Sequence, residues 1–338
     1  MKALVTGGSG FIGSTLIETL TRKGIEVVVL MRKSSSDRNL KGLQYQRVEG
    51  DLSNFDSLKK AMAGVDLVFH LAGVIAAKNR EEYFQYNHTG TENLARAASE
   101  SNQEGSSNVS RFVYVSTLAA GGPSLGPTPR TERDPDRPVS AYGESKKAGE
   151  DALLRYGKSF LPLILRAPIV YGPKDSATLI LIKSAANRIV PKLPSSTTDG
   201  EKYYSLIHSS DLVEALVTLG TASASVFERG DTFYISSGEN VSSSRLIRSM
   251  ADALGVRTFS FPVPRPLLSI LSTLGSWYGA AVGKSTVINR DKMNELLPDY
   301  WTCSNQKLVS KTQWRPQVLL EEGMPKAIDW YKKNGWIR

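Results

Sequence analysis

The chain has 338 residues, 41% of them hydrophobic and 22% charged, a globular composition with enough apolar residues for a sizeable core in one large or two closely joined domains. A formal charge of +9 suits an anionic ligand, but with no basic stripe or reader motif nucleic acid is not an expected partner. The single cysteine, Cys303, excludes an intrachain disulfide and fits a reducing, cytoplasmic setting, and the three histidines lack metal-ligand spacing, so no metal site is expected.

The chain opens on the apolar run Ala3-Leu4-Val5 followed by Thr6-Gly7-Gly8-Ser9-Gly10-Phe11-Ile12-Gly13. The run reads as a buried strand, and no leader peptide is expected before it. Phe11, Ile12, Leu16, Ile17 and Leu20 carry helical spacing, so Gly7, Gly10 and Gly13 fall on a strand-to-helix turn. Bare backbone there can approach a pyrophosphate, toward which the helix turns its free N–H groups and the positive end of its dipole. Ile25 to Leu30 reads as the second strand. A site for NAD ends that strand with an acid for the adenosine ribose; here Met31, Arg32, Lys33 and Ser34 follow. A guanidinium can grip a ribose 2′-phosphate in a fork that a carboxylate would repel. Arg32 and Lys33 therefore favour NADP(H), with NAD(H) as the alternative cofactor and a solvated loop pair as the plain structural reading.

Further strands are predicted at Asp66–Leu71, Arg111–Ser116 and Leu161–Arg166, with helices near 57–62 and 90–98. This alternation predicts an α/β fold with a doubly wound parallel sheet. Five prolines and a Gly-Gly pair interrupt Ala119 to Ser140, a functional loop by its length. Residues 1–172 and 204–235 are assigned to a dinucleotide-binding domain, and 173–203 with 236–338 to a smaller substrate-binding lobe. The apolar stretch 266–283 is broken by serines and glycines and is short for a bilayer span. It reads as a buried or lid helix, with a monotopic membrane contact as the alternative.

Tyr142 and Lys146 stand at i and i+4, on one face of a predicted helix, downstream of a strand that ends in Ser116-Thr117. Reducing a carbonyl requires a hydride donor, a proton donor and a hydrogen bond to the oxygen. A neighbouring Lys⁺, together with an oxidised nicotinamide, would favour the phenolate of Tyr142 and bring it into general acid–base range. Thr117 would bond the substrate oxygen, and Lys146 the nicotinamide ribose. Tyr-x-x-x-Lys alone is a chance-level pattern; its weight comes from the company it keeps. His70, at the end of a strand, reads as a packing or backbone-bonding residue.

Together these motifs resemble the extended short-chain dehydrogenase/reductase family over essentially the full length. The resemblance implies that Gly50-Asp51-Leu52 borders the adenine, that His70-Leu71-Ala72-Gly73 lines the cofactor, and that Arg166-Ala167-Pro168 begins the segment closing over the nicotinamide. It adds Asp51, Leu52, Leu71, Ala72, Gly73 and Pro168 to the cofactor contacts, beside Phe11, Ile12, Tyr142 and Lys146. Asn87 occupies the family's Asn-x-x-Gly-Thr position. Two departures bear on substrate. Nucleotide-sugar epimerases and dehydratases carry Asn where this chain has Ile169, and a phosphate-binding Arg where it has Tyr204. Lys202 or the loop arginines Arg130, Arg133 and Arg137 are candidate replacements. The second-strand ending instead looks like the dihydroflavonol-reductase and 3β-hydroxysteroid-dehydrogenase branch.

The expectation is an NADP(H)-dependent oxidoreductase that interconverts a secondary alcohol and ketone on a largely apolar small molecule. An epimerase or dehydratase of nucleotide sugars is the second reading, and a non-catalytic NADP(H) sensor the third. Tyr203, Tyr204 and the helix 267–282 are expected to line the substrate pocket, and a homodimer is left open.

Overall fold

The computed structural model describes residues 1–268, 270, 272 and 290–337. In chain order its first half runs β1 (Lys2–Thr6), α1 (Phe11–Arg22), β2 (Glu26–Met31), β3 (Gln46–Glu49), α2 (Phe55–Ala61), β4 (Leu67–His70), α3 (Arg80–Phe84), a π-helical turn (Gln85–Thr89), α4 (Gly90–Gln103), β5 (Arg111–Thr117), α5 (Leu118–Gly121), α6 (Ala141–Leu154) and β6 (Leu161–Ala167). The second half adds β7 (Ile169–Tyr171), α7 (Thr178–Ala186), β8 (Ile189–Lys192), β9 (Tyr203–His208), α8 (Ser209–Thr221), β10 (Thr232–Tyr234), β11 (Asn240–Ser242), α9 (Ser243–Leu254), β12 (Phe259–Pro262), the helix Arg290–Leu296, β13 (Tyr300–Trp301) and the helices Gln306–Thr312 and Leu320–Lys333.

Seven strands form one sheet in the order β10-β6-β5-β4-β1-β2-β3, every pair parallel. This is the doubly wound sheet that the βα alternation predicts. Its strands are near-continuous apolar runs because helices cover both faces. On one face Leu16, Ile17 and Leu20 of α1 pack with Leu212, Val213 and Leu216 of α8. On the other lie Leu58 of α2 and Met62 just past its end, with Leu94, Ala95 and Ala98 of α4. The order reverses between β1 and β4, and ligands of open α/β sheets bind beyond the strand ends at such a switch point.

β7 and β9 fall inside the stretches 1–172 and 204–235, yet they pair with each other, and β9 also pairs with β11 and β13, in a second sheet. Only α8 and β10 of 204–235 return to the large sheet. Tyr203 and Tyr204 cannot share a pocket wall, because successive strand residues face opposite sides. Tyr203 stacks on Tyr300 with ring centroids 5.5 Å apart, whereas Tyr204 packs against the apolar cluster of the smaller lobe. Most of the stretch 266–283 lies outside the described residues. Among the described residues, no helix is long and apolar enough to cross a membrane.

Candidate active site

The nucleotide side is built from the β1–α1 turn. Gly7 sits at φ +71°, and a Cβ there would stand 2.8 Å from the Ala72 nitrogen beyond β4. At Gly13 a Cβ would meet the Gly7 carbonyl oxygen at 2.3 Å. Both positions admit only glycine, so the turn packs backbone on backbone. Gly10 begins α1 without a side-chain cap, and the first turn carries no acid, which leaves its N–H groups free for an anion. Beside it opens a cleft of about 170 Å³, lined by Thr6, Gly7, Ser9, Leu30, Arg32, Ser35, Gly50, Asp51, Leu52, Ala72, Gly73, Val74 and Tyr86. The bare helix end and the glycine cradle fit a dinucleotide's pyrophosphate, and the cleft fits its adenosine half.

Of the expected contacts, Gly7, Arg32, Asp51, Leu52, Ala72 and Gly73 line this cleft. Gly10 and Gly13 shape the turn, and Phe11 and Ile12 are half-buried in the first turn of α1. Lys33 is exposed and absent from the cleft wall, so of the basic pair only Arg32 faces it. Leu71 is half-buried at the end of β4, and Pro168 is half-buried between β6 and β7. Ser9, Ser35, Val74 and Tyr86 line the cleft without having been singled out; the only prior signal for Ser35 was its place after the basic pair. Burial acts to raise the Asp51 carboxyl, but bonds from the Ser53 hydroxyl and N–H and the charge of Arg32 hold it below the usual range.

His70 is fully buried and takes part in no chemistry with the cleft. The Thr91 hydroxyl donates to the Asn87 carbonyl at 2.7 Å, so it accepts from His70 Nε2 at 3.0 Å. His70 Nδ1 then accepts from the Thr6 hydroxyl at 2.6 Å, and Thr6 Oγ1 accepts from the Ala72 N–H at 3.2 Å. The polarity of this chain requires a neutral imidazole. Burial, with Lys146 nearby, keeps its pKa well below the ordinary value.

On the reaction side, α6 sets Tyr142 beside Thr117, close enough for the threonine hydroxyl to act on the phenol. Lys146 is buried, donates to the Val115 carbonyl at 2.8 Å and lies 4.1 Å from the Tyr114 ring centroid. Gly149 lets α6 approach the π-helical turn, since a Cβ there would lie 2.4 Å from the Asn87 carbonyl oxygen. Asn87 bonds both backbone groups of Val74 and the Ser145 hydroxyl, tying the segment after Gly73 to α6.

In the absence of a nicotinamide the electrostatics favour the phenol. Burial pushes Tyr142 above its ordinary value, and the negative charge of Glu295 adds to this; the Thr117 hydroxyl opposes both. Burial pushes Lys146 down to about 7 against the pull of Glu150. Without a cofactor, Tyr142 is therefore held as the neutral phenol, the proton-donating form. Beneath the pair, Glu150 accepts from Ser116 at 2.5 Å and from Arg166 at 2.9 and 2.6 Å. Arg166 also grips Asp136 at 2.6 and 2.8 Å. Burial opposes the Arg166 charge, but Glu150 and Asp136 outweigh it and raise its pKa. This cluster joins β5, β6, α6 and the 119–140 loop.

The chain folds as a nucleotide-binding α/β protein, and the comparisons agree. Residues 3–233 match the model of the NAD dependent epimerase/dehydratase family, and the chain belongs to that family. It is 28% identical over 334 residues to a ceramide reductase of Caulobacter vibrioides, covering 98% of this chain and 95% of that protein. It is 27% identical over 333 residues to a UDP-glucose 4-epimerase of Vibrio cholerae, covering 95% and 92%. The crystal structure of the Thermus thermophilus UDP-glucose 4-epimerase in complex with NAD superposes with a TM-score of 0.74 at 25% identity, covering 98% of this chain and 99% of that one. The chain is thus an NAD(P)-binding enzyme, which removes the sensor reading.

Proposed function

We propose that the enzyme is an NADP(H)-dependent oxidoreductase that interconverts a secondary alcohol and a ketone on a largely apolar small molecule. The observation that carries this reading is the fate of the cations near the positions where relatives' sugar nucleotides would need phosphate ligands. Lys202 is buried and donates to the carbonyls of Leu297 and Pro298 at 2.7 and 2.9 Å and to Asp299 at 3.2 Å, which uses all three ammonium protons. Arg130 is buried and spent on Tyr234 and the carbonyls of Pro123 and Pro135. Ile169 is part-exposed and has no polar group to offer a phosphate. The ceramide reductase among the relatives supports an apolar substrate, and Arg32 in the cleft wall supports the 2′-phosphate.

When bound, the dinucleotide supplies the hydride for the carbonyl carbon. Tyr142 donates its phenolic proton to the carbonyl oxygen, and Thr117 holds that oxygen by a hydrogen bond. Lys146, near neutrality and close to Gly73, orients the ribose and follows the proton after Tyr142 has given it up. The Vibrio relative favours a second reading as a nucleotide-sugar epimerase, in which Arg133 and Arg137, both exposed, would meet the diphosphate. Calorimetry of UDP, UDP-glucose and dTDP against the NADPH-loaded enzyme separates the two. No binding tighter than millimolar is expected, and submillimolar affinity for any of them overturns the reductase reading.

A further inference from the structure

The β8–β12 ribbon reverses the usual pattern of a two-stranded surface element. Phe259 pairs with Ile189 and Phe261 with Pro191, while Val190 and Ser260 lie between them in the register. Val190 is buried, so the alternation places Ile189, Pro191, Phe259 and Phe261 together on the outer side. That side is solvent-exposed: Ile189 by 56%, Phe259 by 69% and Phe261 by 39%. The two phenylalanine rings stack at 6.5 Å. The outer face of a ribbon is ordinarily polar, and here all four residues are apolar. The patch continues along the chain at Leu267 and Ile270, exposed by 47% and 57%. Contiguous apolar surface of this kind marks an interaction site.

The charge along the two segments that carry it is one-sided. Residues 178–192 and 256–270 contain Lys183, Arg188, Lys192, Arg257 and Arg265, and no aspartate or glutamate. Lys192 pairs with Glu201, and Arg265 bonds Ser196. Lys183, Arg188 and Arg257 are exposed and make no ion pair among the described residues. Aromatic and aliphatic side chains ringed by unpaired cations match an anionic lipid surface, where rings enter the headgroup boundary and cations meet phosphate. A second copy is a poor occupant, because a two-fold contact would bring two equally cationic faces together.

We propose that the outer face of the β8–β12 ribbon docks the enzyme on the surface of an anionic phospholipid membrane. The docked face and the reaction site share an element. Val263 and Leu268, just past β12, turn inward onto Met293 and Leu296 of the helix Arg290–Leu296. The same helix reaches the start of α6, where Asp291 accepts the Ala141 N–H at 2.7 Å and Glu295 accepts the Ser140 hydroxyl at 2.6 Å. A lipophilic molecule leaving the membrane would thus arrive beside Tyr142. The docking inference itself does not rest on the substrate reading, since it stands on exposed side chains alone.

Flotation of the full chain with vesicles tests it. One set holds roughly 30 mol% phosphatidylglycerol in phosphatidylcholine, and the other is pure phosphatidylcholine. The enzyme is expected to float with the anionic vesicles, on the order of tenfold more than with the neutral ones. The variants F259S/F261S and R188E/R257E should each reduce this by roughly tenfold, with NADPH affinity and melting temperature unchanged. Absence of the native enzyme from anionic vesicles, or equal flotation of native enzyme and both variants, overturns the proposal. So does a dimer in light scattering that F259S/F261S dissolves, which would give the face to a second copy. Because NADPH binding is read separately, failure here leaves the reductase reading standing, and the reverse.

Discussion

Two helices begin beside the site, and their N-termini are finished in opposite ways. At the start of α1, Gly10 provides no side-chain cap and no acid follows. At the start of α6, Ser140 caps the Gly143 N–H at 3.0 Å, Asp291 accepts from Ala141, and Glu295 bonds the capping serine. A helix end left bare keeps several unsatisfied donors and a positive dipole end, and is thereby a place for an anion. A helix end capped from its own sequence and from a distant helix is fixed in place. In the function proposed above, the first is the end that meets the cofactor's pyrophosphate and the second positions Tyr142 for the substrate oxygen.

The contrast breaks most sharply at Gly10. A Cβ there meets only the Gly7 oxygen, at 3.2 Å, a contact that a shift of a few tenths of an ångström relieves, and the backbone is extended, so aspartate can enter and would cap the helix itself. Gly10→Asp should leave the melting temperature of the apo-enzyme equal or higher. NADPH affinity should fall by roughly 10²-fold or more, since a carboxylate would stand within a few ångströms of the pyrophosphate. Calorimetry beside thermal denaturation checks both halves, and a variant that still binds NADPH normally would show that the bare end is not the anion site.

At the capped end, Tyr142→Phe keeps the ring and removes the donor. Turnover should fall by roughly 10²-fold with NADPH affinity little changed; near-native turnover on an identified substrate would remove Tyr142 from the proton path. A smaller effect separates the two cofactors. Arg32→Ala should weaken NADPH by about 1.5–3 kcal/mol, the scale of a charge-assisted bond to phosphate, and leave NADH nearly unaffected. Equal losses for both cofactors in a binding titration would mean that Arg32 does not read the 2′-phosphate.

A further effect falls on stability rather than on binding or turnover, and depends on pH. Lys146 falls from an ordinary 10.5 to about 7 in the folded chain, so between these values the unfolded chain binds the extra proton and stability rises with pH. The cost of burying the ammonium is complete below pH 7 and disappears above 10.5. Lys146→Met should therefore melt above the native apo-enzyme, with the gap widest below pH 7 and closing toward 10.5. A gap that widens with rising pH in calorimetric scans would contradict the burial argument.

What was legible in the chain followed the range of the interaction. Thr6 to Gly13 is a strand, a turn and a helix start in succession, so its backbone demands appear as glycines in one short stretch. Tyr142 and Lys146 meet through helix geometry alone. The Glu150–Arg166–Asp136 cluster escaped notice because its members come from α6, β6 and the proline-rich loop. The influence of Glu295 on Tyr142 was out of reach for the same reason: Lys146 is a helical neighbour, whereas Glu295 approaches from a helix far along the chain and, with burial, raises the phenol. The apolar outer face of the β8–β12 ribbon was invisible for another reason, since four residues in each strand are too few for alternation to declare itself.

The sequence by itself determined the doubly wound sheet, the glycine turn, the absence of an acid at the end of β2 and the helical pairing of Tyr142 with Lys146. Each depends on periodicity or on backbone constraints that act over a few residues. Only the tertiary structure decided that Lys202 and Arg130 are buried and spent, that β7 and β9 form a sheet of their own, and that Arg32 rather than Lys33 faces the cleft. It also decided that Asp291 and Glu295 close the start of α6. Those outcomes turn on which distant charges and carbonyls are brought within bonding distance, and on how much water burial removes from them.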